Sequence, residues 1–341
     1  MGRQSSLIVA LTIVASALVV SAGAKPPAGS ALGVGTVFLP NPVADLGDQT
    51  LTDQKDADYP ALAPAYHDVV LTNLDGTGFL VGDWAQVISE TGDPAYSPSN
   101  EFRYRRDDDR FEQVMAYYWI TAAQKYIQSL GFGTSRRPVN MQSQHVRINQ
   151  WGLDNSFATT HKDELRFGKG GVDDAEDAEV VLHEYGHAIH FSQGFVFASE
   201  EAGAISEGFG DYWAVTVSDV VARSLGVPER EPLACVADWD ATSYTSAVPH
   251  CLRRIDTDLH YPEDLNGEVH HDGQIWSRAL WDIRQGLGNV KADTIILQGS
   301  FDFPGTSMTD LANRTVAAAR TLYGNATAKV VTAAFADRGI L

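Results

Sequence analysis

Cysteine is nearly absent. The 341 residues carry two, Cys235 and Cys251, with no C-x-x-C spacing. A cysteine-built metal site is therefore excluded, and in an exported chain an even count implies one disulfide, here stapling a loop. Basic residues are scarce as well: 25 Lys and Arg stand against 44 Asp and Glu, a formal net charge of −19. Nucleic acid needs a basic face, so it is excluded as a partner, and the acidity equally disfavours adsorption on an anionic membrane. Beyond the first two dozen residues no apolar run is long enough to span a bilayer. There is no internal repeat, no low-complexity tract and no G-x-S-x-G elbow for a serine nucleophile.

What is present begins with an export signal. "LIVALTIVASALVVSA" (7–22) is continuously apolar behind Arg3, and "AGA" (22–24) offers small residues for cleavage after Ala24. "MGRQSS" also fits a myristoylation pattern, but an apolar run starting at Leu7 favours export. The expectation is a signal peptide over 1–24 and a secreted, monomeric mature chain. The acidic runs "RRDDDR" (105–110) and "GVDDAEDAE" (171–179) name calcium as a candidate second cofactor, although neither has the spacing of an EF-hand loop.

The following stretch reads as mostly strand. Residues 67–89 give two strands around the turn "DGTG", 138–151 another, and 163–171 a short one before a glycine-rich turn. One amphipathic helix, 111–133, interrupts them, with Gly131 at its expected C-cap. From Asp173 to Gly194 the pattern is helical, 200–224 is a second helix, and 225–268 is a long loop holding both cysteines. Helices are expected at 275–287, 308–324 and 326–339. The fold class is therefore α+β: a β-rich N-terminal lobe, 25–194, and a mainly helical C-terminal lobe, 195–341. The segment "HEYGHAIHF" (183–191) sits at their junction, where ligand clefts commonly lie.

On a helix His183 and His187 lie about 40° apart and one turn apart in height, so both imidazoles converge on one zinc. Glu184 falls beside them, placed to touch a zinc-bound water. His190 is about 4.5 Å further along the axis and would have to reach back past His187, so it reads as a helix-surface or packing residue. The third ligand comes from "EEAGAISEGFGDYWA" (200–214). Glu207 on a second helix completes a His2Glu set with an open fourth position, the pattern of a catalytic zinc. Asp211, four residues on, shares its face and can accept the other ring N–H of His183.

"HEYGH" followed by "GAISEGFGD" resembles the thermolysin-like zinc metallopeptidases. Tyr185 and "VHHDGQIWSRALWDI" (269–283) look closer to the fungalysin branch and its bacterial relatives. The resemblance covers roughly 155 to the C-terminus. It implies a two-lobe thermolysin-like fold with zinc at the base of a cleft, His183, His187 and Glu207 as ligands, and Glu184 as general base. It also implies that Asn155 and Ser156, in "NSF", hydrogen-bond an extended substrate from an edge strand. His270, with His271 as alternate, would stabilise the tetrahedral intermediate, oriented by Asp264 or Asp272. One departure is plain: where the family has an oxyanion tyrosine before the third ligand, equal spacing gives Ala198. The function implied is a secreted zinc endopeptidase acting on polypeptides. The rivals are a zinc aminopeptidase and a binding protein on an inactive protease scaffold.

Overall fold

Residues 31–89, 92–160, 163–227 and 232–341 are described by the computed structural model, so the expected leader at 1–24 and its cleavage site lie outside the described residues. The chain starts with β1 (Ala31–Val37) and a short helix α1 (Pro42–Leu46) capped by the Asn41 side chain. Then come β2 (His67–Leu74), β3 (Ala85–Ser89) and β4 (Glu101–Phe102). The helix α2 (Arg110–Ser129) precedes β5 (Gln144–Ile148), β6 (Phe157–Thr159) and β7 (Glu164–Arg166).

These strands form two sheets, ordered β2-β1-β4 and β3-β5-β7-β6. The two strands expected in 67–89 are present, but they do not pair as a hairpin. β2 joins β1 antiparallel, while β3 runs parallel to β5. The cause lies between them. Single bridges at Leu74↔Gly82 and Val81↔Gln86 turn the chain, and a Cβ on Gly82 would lie 2.1 Å from the Asn73 carbonyl oxygen, so only glycine allows the backbones this close. In the second sheet β6 is the antiparallel edge strand. α2 packs on β1 and β3, with Phe111, Val114, Met115, Trp119 and Ile127 fully buried.

The remaining elements are α3 (Ala178–Ser192), α4 (Glu200–Ser224), β8 (Cys235–Val236), β9 (Arg253–Arg254), α5 (Val269–Leu287), α6 (Asn289–Ser300), α7 (Met308–Tyr323) and α8 (Asn325–Ala336). Caps set their starts. Asp177 accepts the Glu179 N–H, so α3 begins at Ala178 rather than the expected Asp173, behind a 3-10 turn at Asp174–Glu176. Ser199 caps α4 and Glu268 caps α5. The Glu268 cap starts α5 at Val269 rather than 275, which lifts His270 and His271 out of a loop and onto a first helical turn. α6 falls outside the expected helices.

One hydrophobic cluster runs from the sheets through α2 and α3 into the C-terminal helices. A polar tie crosses it: the Tyr126 and Tyr212 hydroxyls both donate to buried Asp293, the latter at 2.5 Å. Cys235 and Cys251 form a disulfide with Cα atoms 5.2 Å apart, closing a separation of 16 residues. β8 begins at Cys235 and β9 lies just past Cys251, and their pairing places Arg253 opposite Val236. Replacing both cysteines by serine should cost roughly 3 kcal/mol for a closed loop of this length, read by denaturant unfolding.

Candidate metal centre

α3 and α4 cross at glycine. A Cβ on Gly186 would lie 3.1 Å from the Gly210 Cα, and one on Gly210 would lie 2.7 Å from His183 Nδ1. α4 and α5 meet likewise: a Cβ on Gly208 would strike the Gly273 carbonyl at 2.2 Å. Small residues at both crossings bring three helix backbones close enough for short side chains to share one point.

At that point His183, His187 and Glu207 each offer an atom, all within 4.8 Å of one another. His183 Nε2 is 3.2 Å from Glu207 Oε2, and His187 Nε2 is 3.6 Å from Glu207 Oε1. Two imidazole nitrogens and one carboxylate are a donor set suited to zinc. Each imidazole is oriented from behind. The Nδ1–H of His183 donates to Asp211 at 2.9 Å, and Arg253 clamps Asp211 at 2.7 and 2.6 Å. His187 Nδ1 lies 2.8 Å from the Ser206 hydroxyl, which also reaches His190 Nδ1 at 3.1 Å. Burial holds His190 neutral; with a metal on His187 Nε2, His187 would donate from Nδ1 to Ser206, whose hydroxyl donates on to His190 Nδ1. With the proton of each ring kept at Nδ1, both Nε2 atoms have a lone pair to give to a metal.

The charges match this order. Burial opposes charge on His183, but Asp211 and Glu207 outweigh it and lift the ring to about 10, so metal binding must displace a proton. Burial pushes His187 down to about 4. Glu207 is held well below the carboxylate range by the two rings, against its burial. Glu184 is buried, one of its oxygens has no partner, and burial raises it to about 7.

The remaining expectations divide. His190 is a packing residue, not a surface one: it is 1% exposed and stacks between Phe195 and Phe209, with ring centroids 4.2 and 4.3 Å away. His270 Nε2 comes within 3.3 Å of Glu207 Oε2. Its orienting carboxylate is neither Asp264 nor Asp272 but Glu268, 2.6 Å from Nδ1. Asp264 accepts the His260 N–H, and Asp272 accepts the N–H groups of Asn266 and Gly267 and pairs with His271. Asn155 is exposed and Ser156 half-buried, immediately ahead of edge strand β6. The Ser156 hydroxyl donates to Asp174. Ala198 stands just before Ser199, the cap of α4, and so lies off the helix that carries Glu207.

The carboxylates proposed for calcium mostly have protein partners. Glu176 takes buried Arg106 at 2.9 Å, Asp177 caps α3, Asp108 pairs with Arg110, and Asp109 with Lys169. Sequence reading missed Ser206 and Arg253. Ser206 abuts Glu207 in the chain and could have been found from its helical offset. Arg253 lies 42 residues from Asp211, and only the disulfide hints at its loop folding back.

Asp211 supplies a direct test. Arg253 and His183 hold its carboxyl down at about 2, against its burial. A depressed carboxyl stabilises the fold above its unfolded pKa and loses that contribution as pH falls through the folded value. Asp211→Asn should therefore remove stability that the parent loses between about pH 4 and pH 2, read by acid unfolding. Zinc affinity should fall by about 10- to 100-fold in a chelator competition.

Comparison with known proteins bears on residues 194–340, which match the family described as thermolysin metallopeptidase, alpha-helical domain. A gelatinase from Enterococcus faecalis is 26% identical over 173 residues, which are 49% of this chain and 34% of that protein. The chain thus spans about a third of that relative's length. The precursor of protealysin, a metalloproteinase from Serratia proteamaculans, superposes with a TM-score of 0.55 at 17% identity, covering 76% of this chain and 88% of that one. At that identity the likeness speaks for the fold alone. Residues 194–340 thus resemble the helical domain of the thermolysin metallopeptidases, and about three quarters of the chain shares the fold of a metalloproteinase precursor.

Proposed function

We propose that this chain is a secreted zinc-dependent endopeptidase that hydrolyses peptide bonds with Glu184 as general base. The observation that carries the reading is the convergence of His183, His187 and Glu207 on one point beside the buried, partly unpartnered carboxyl of Glu184. Zinc, when bound there, supplies a Lewis acid that polarises the scissile carbonyl and makes a water acidic near neutrality. With the metal in place, Glu184 would accept the proton of the attacking water and pass it to the departing amine. His270, held at Nδ1 by Glu268, would donate from Nε2 to the oxyanion in its doubly protonated form. Asn155 and Ser156 lead into edge strand β6, where an extended peptide adds as a further strand. With the Ser156 hydroxyl engaged by Asp174, its backbone is what a substrate meets.

The finer affiliation with the fungalysin branch rests on Tyr185 and residues 269–283. Export rests on the leader sequence. Among the described residues, no helix is long and apolar enough to cross a membrane.

Glu184→Gln should keep one zinc per chain and lose turnover of a protein substrate by about 100- to 10,000-fold, with a chelator abolishing cleavage by the parent. Retained turnover in Glu184→Gln would overturn the assignment. Release of single N-terminal residues would point to an aminopeptidase, and inert protein with bound zinc to a binding scaffold.

A further inference from the structure

A second group of carboxylates lies close to the first. Asp154, Asp174 and Asp240 each present an oxygen, all within 4.8 Å of one another. Asp174 and Asp240 are 2% and 3% exposed, and the Oδ1 of each has no hydrogen-bond partner. Among the described residues the side chain of Asp240 accepts no hydrogen bond, and no Lys or Arg pairs with any of the three. The guanidinium of Arg253 is committed to Asp211. A buried carboxylate left without partners is costly, so an opening toward a cation is the feature to explain.

Position says which cation. Asp154 directly precedes Asn155 and Ser156, the segment proposed to pair with substrate, and the Ser156 hydroxyl donates to Asp174. Asp174 sits on the turn before α3, the helix that carries Glu184. The Asp240 N–H donates at 3.2 Å to Asp177, the cap of that same helix. The group therefore joins the segment that leads into the edge strand to the start of the helix that carries the general base. It reaches solvent through half-buried Asp154, whose Oδ1 accepts the hydroxyl of exposed Tyr244 at 2.5 Å. Calcium asks for six to eight oxygens. Here Asp154 and Asp174 already hold Tyr244 and Ser156, which leaves four of the six carboxylate oxygens, fewer than calcium takes. An ammonium or guanidinium needs only a few acceptors and brings its own donors.

We propose that Asp154, Asp174 and Asp240 receive the positively charged side chain of a substrate lysine or arginine next to the scissile bond. This rests on the peptidase reading and names its specificity. As the buried member whose side chain accepts no hydrogen bond, Asp240 should set the preference most strongly.

The test uses the full zinc-loaded chain and peptides with Arg, Lys, Leu or Glu scanned on both sides of the scissile bond. At one flanking position Arg or Lys should exceed Leu in kcat/KM by at least about tenfold, and Asp240→Asn should bring that ratio to near unity. Zinc content and melting temperature check that the variant folds. Binding of labelled Arg and Leu peptides to Glu184→Gln protein, by fluorescence anisotropy, gives a readout independent of turnover. Absence of cleavage with Arg-selective binding would sink the peptidase reading and keep the pocket. A preference for Leu or Glu, or an Arg preference untouched by Asp240→Asn, would overturn the pocket. So would stoichiometric calcium binding by calorimetry that is lost in Asp240→Asn while peptide preference stays unchanged.

Discussion

Two helix backbones meet at Gly186 and Gly210, and the metal centre depends on that contact. Glu207 has a short side chain. It reaches the Nε2 atoms of His183 and His187 only if α4 lies almost against α3. A methyl group at position 210 would occupy the space of the His183 ring, and one at 208 would strike the backbone of α5. The glycines in "HEYGH" and "SEGFGD" are therefore steric conditions for the donor set. They let three helices converge, and α5 in turn brings His270 to the rim.

Around that crossing the polar groups are organised in two short relays. Arg253 neutralises Asp211, which holds His183 by its rear nitrogen; His190 and Ser206 do the same for His187. In a buried setting such chains fix tautomer and ring orientation together, and leave each imidazole one lone pair to offer. The first relay depends on a segment with little regular structure. The disulfide and the β8–β9 pair hold that segment against α4, so a covalent staple away from the ligands acts on the geometry of one of them.

The helical site was legible in the sequence because it is written locally. His183, Glu184 and His187 follow from one helical period, and Glu207 with Asp211 from a second. Strand existence was legible too, from the apolar patterns at 67–74 and 144–148. Pairing was not. Nothing local to residues 67–89 tells that β2 seeks β1 and β3 seeks β5, because those choices are made by partners far along the chain. The same limit applies to Arg253, whereas Glu268 is only two residues from the His270 it holds and was open to a local reading. Asp264 and Asp272 looked equally able to orient His270, yet both are consumed by backbone N–H groups of their own loop. Within the acidic runs Glu176 and Asp177 serve Arg106 and the start of α3, contacts invisible until the chain is folded.

Zinc K-edge absorption on the purified chain bears most directly on the shared donor set of residues 183, 187 and 207. The expected spectrum shows one zinc per chain bound by two imidazole nitrogens and carboxylate oxygen at about 2.0–2.2 Å, with the carboxylate contribution and the metal itself lost in Glu207→Ala. A chain that binds no zinc, or holds it unchanged in Glu207→Ala, would contradict the convergence of the three side chains on a single ion.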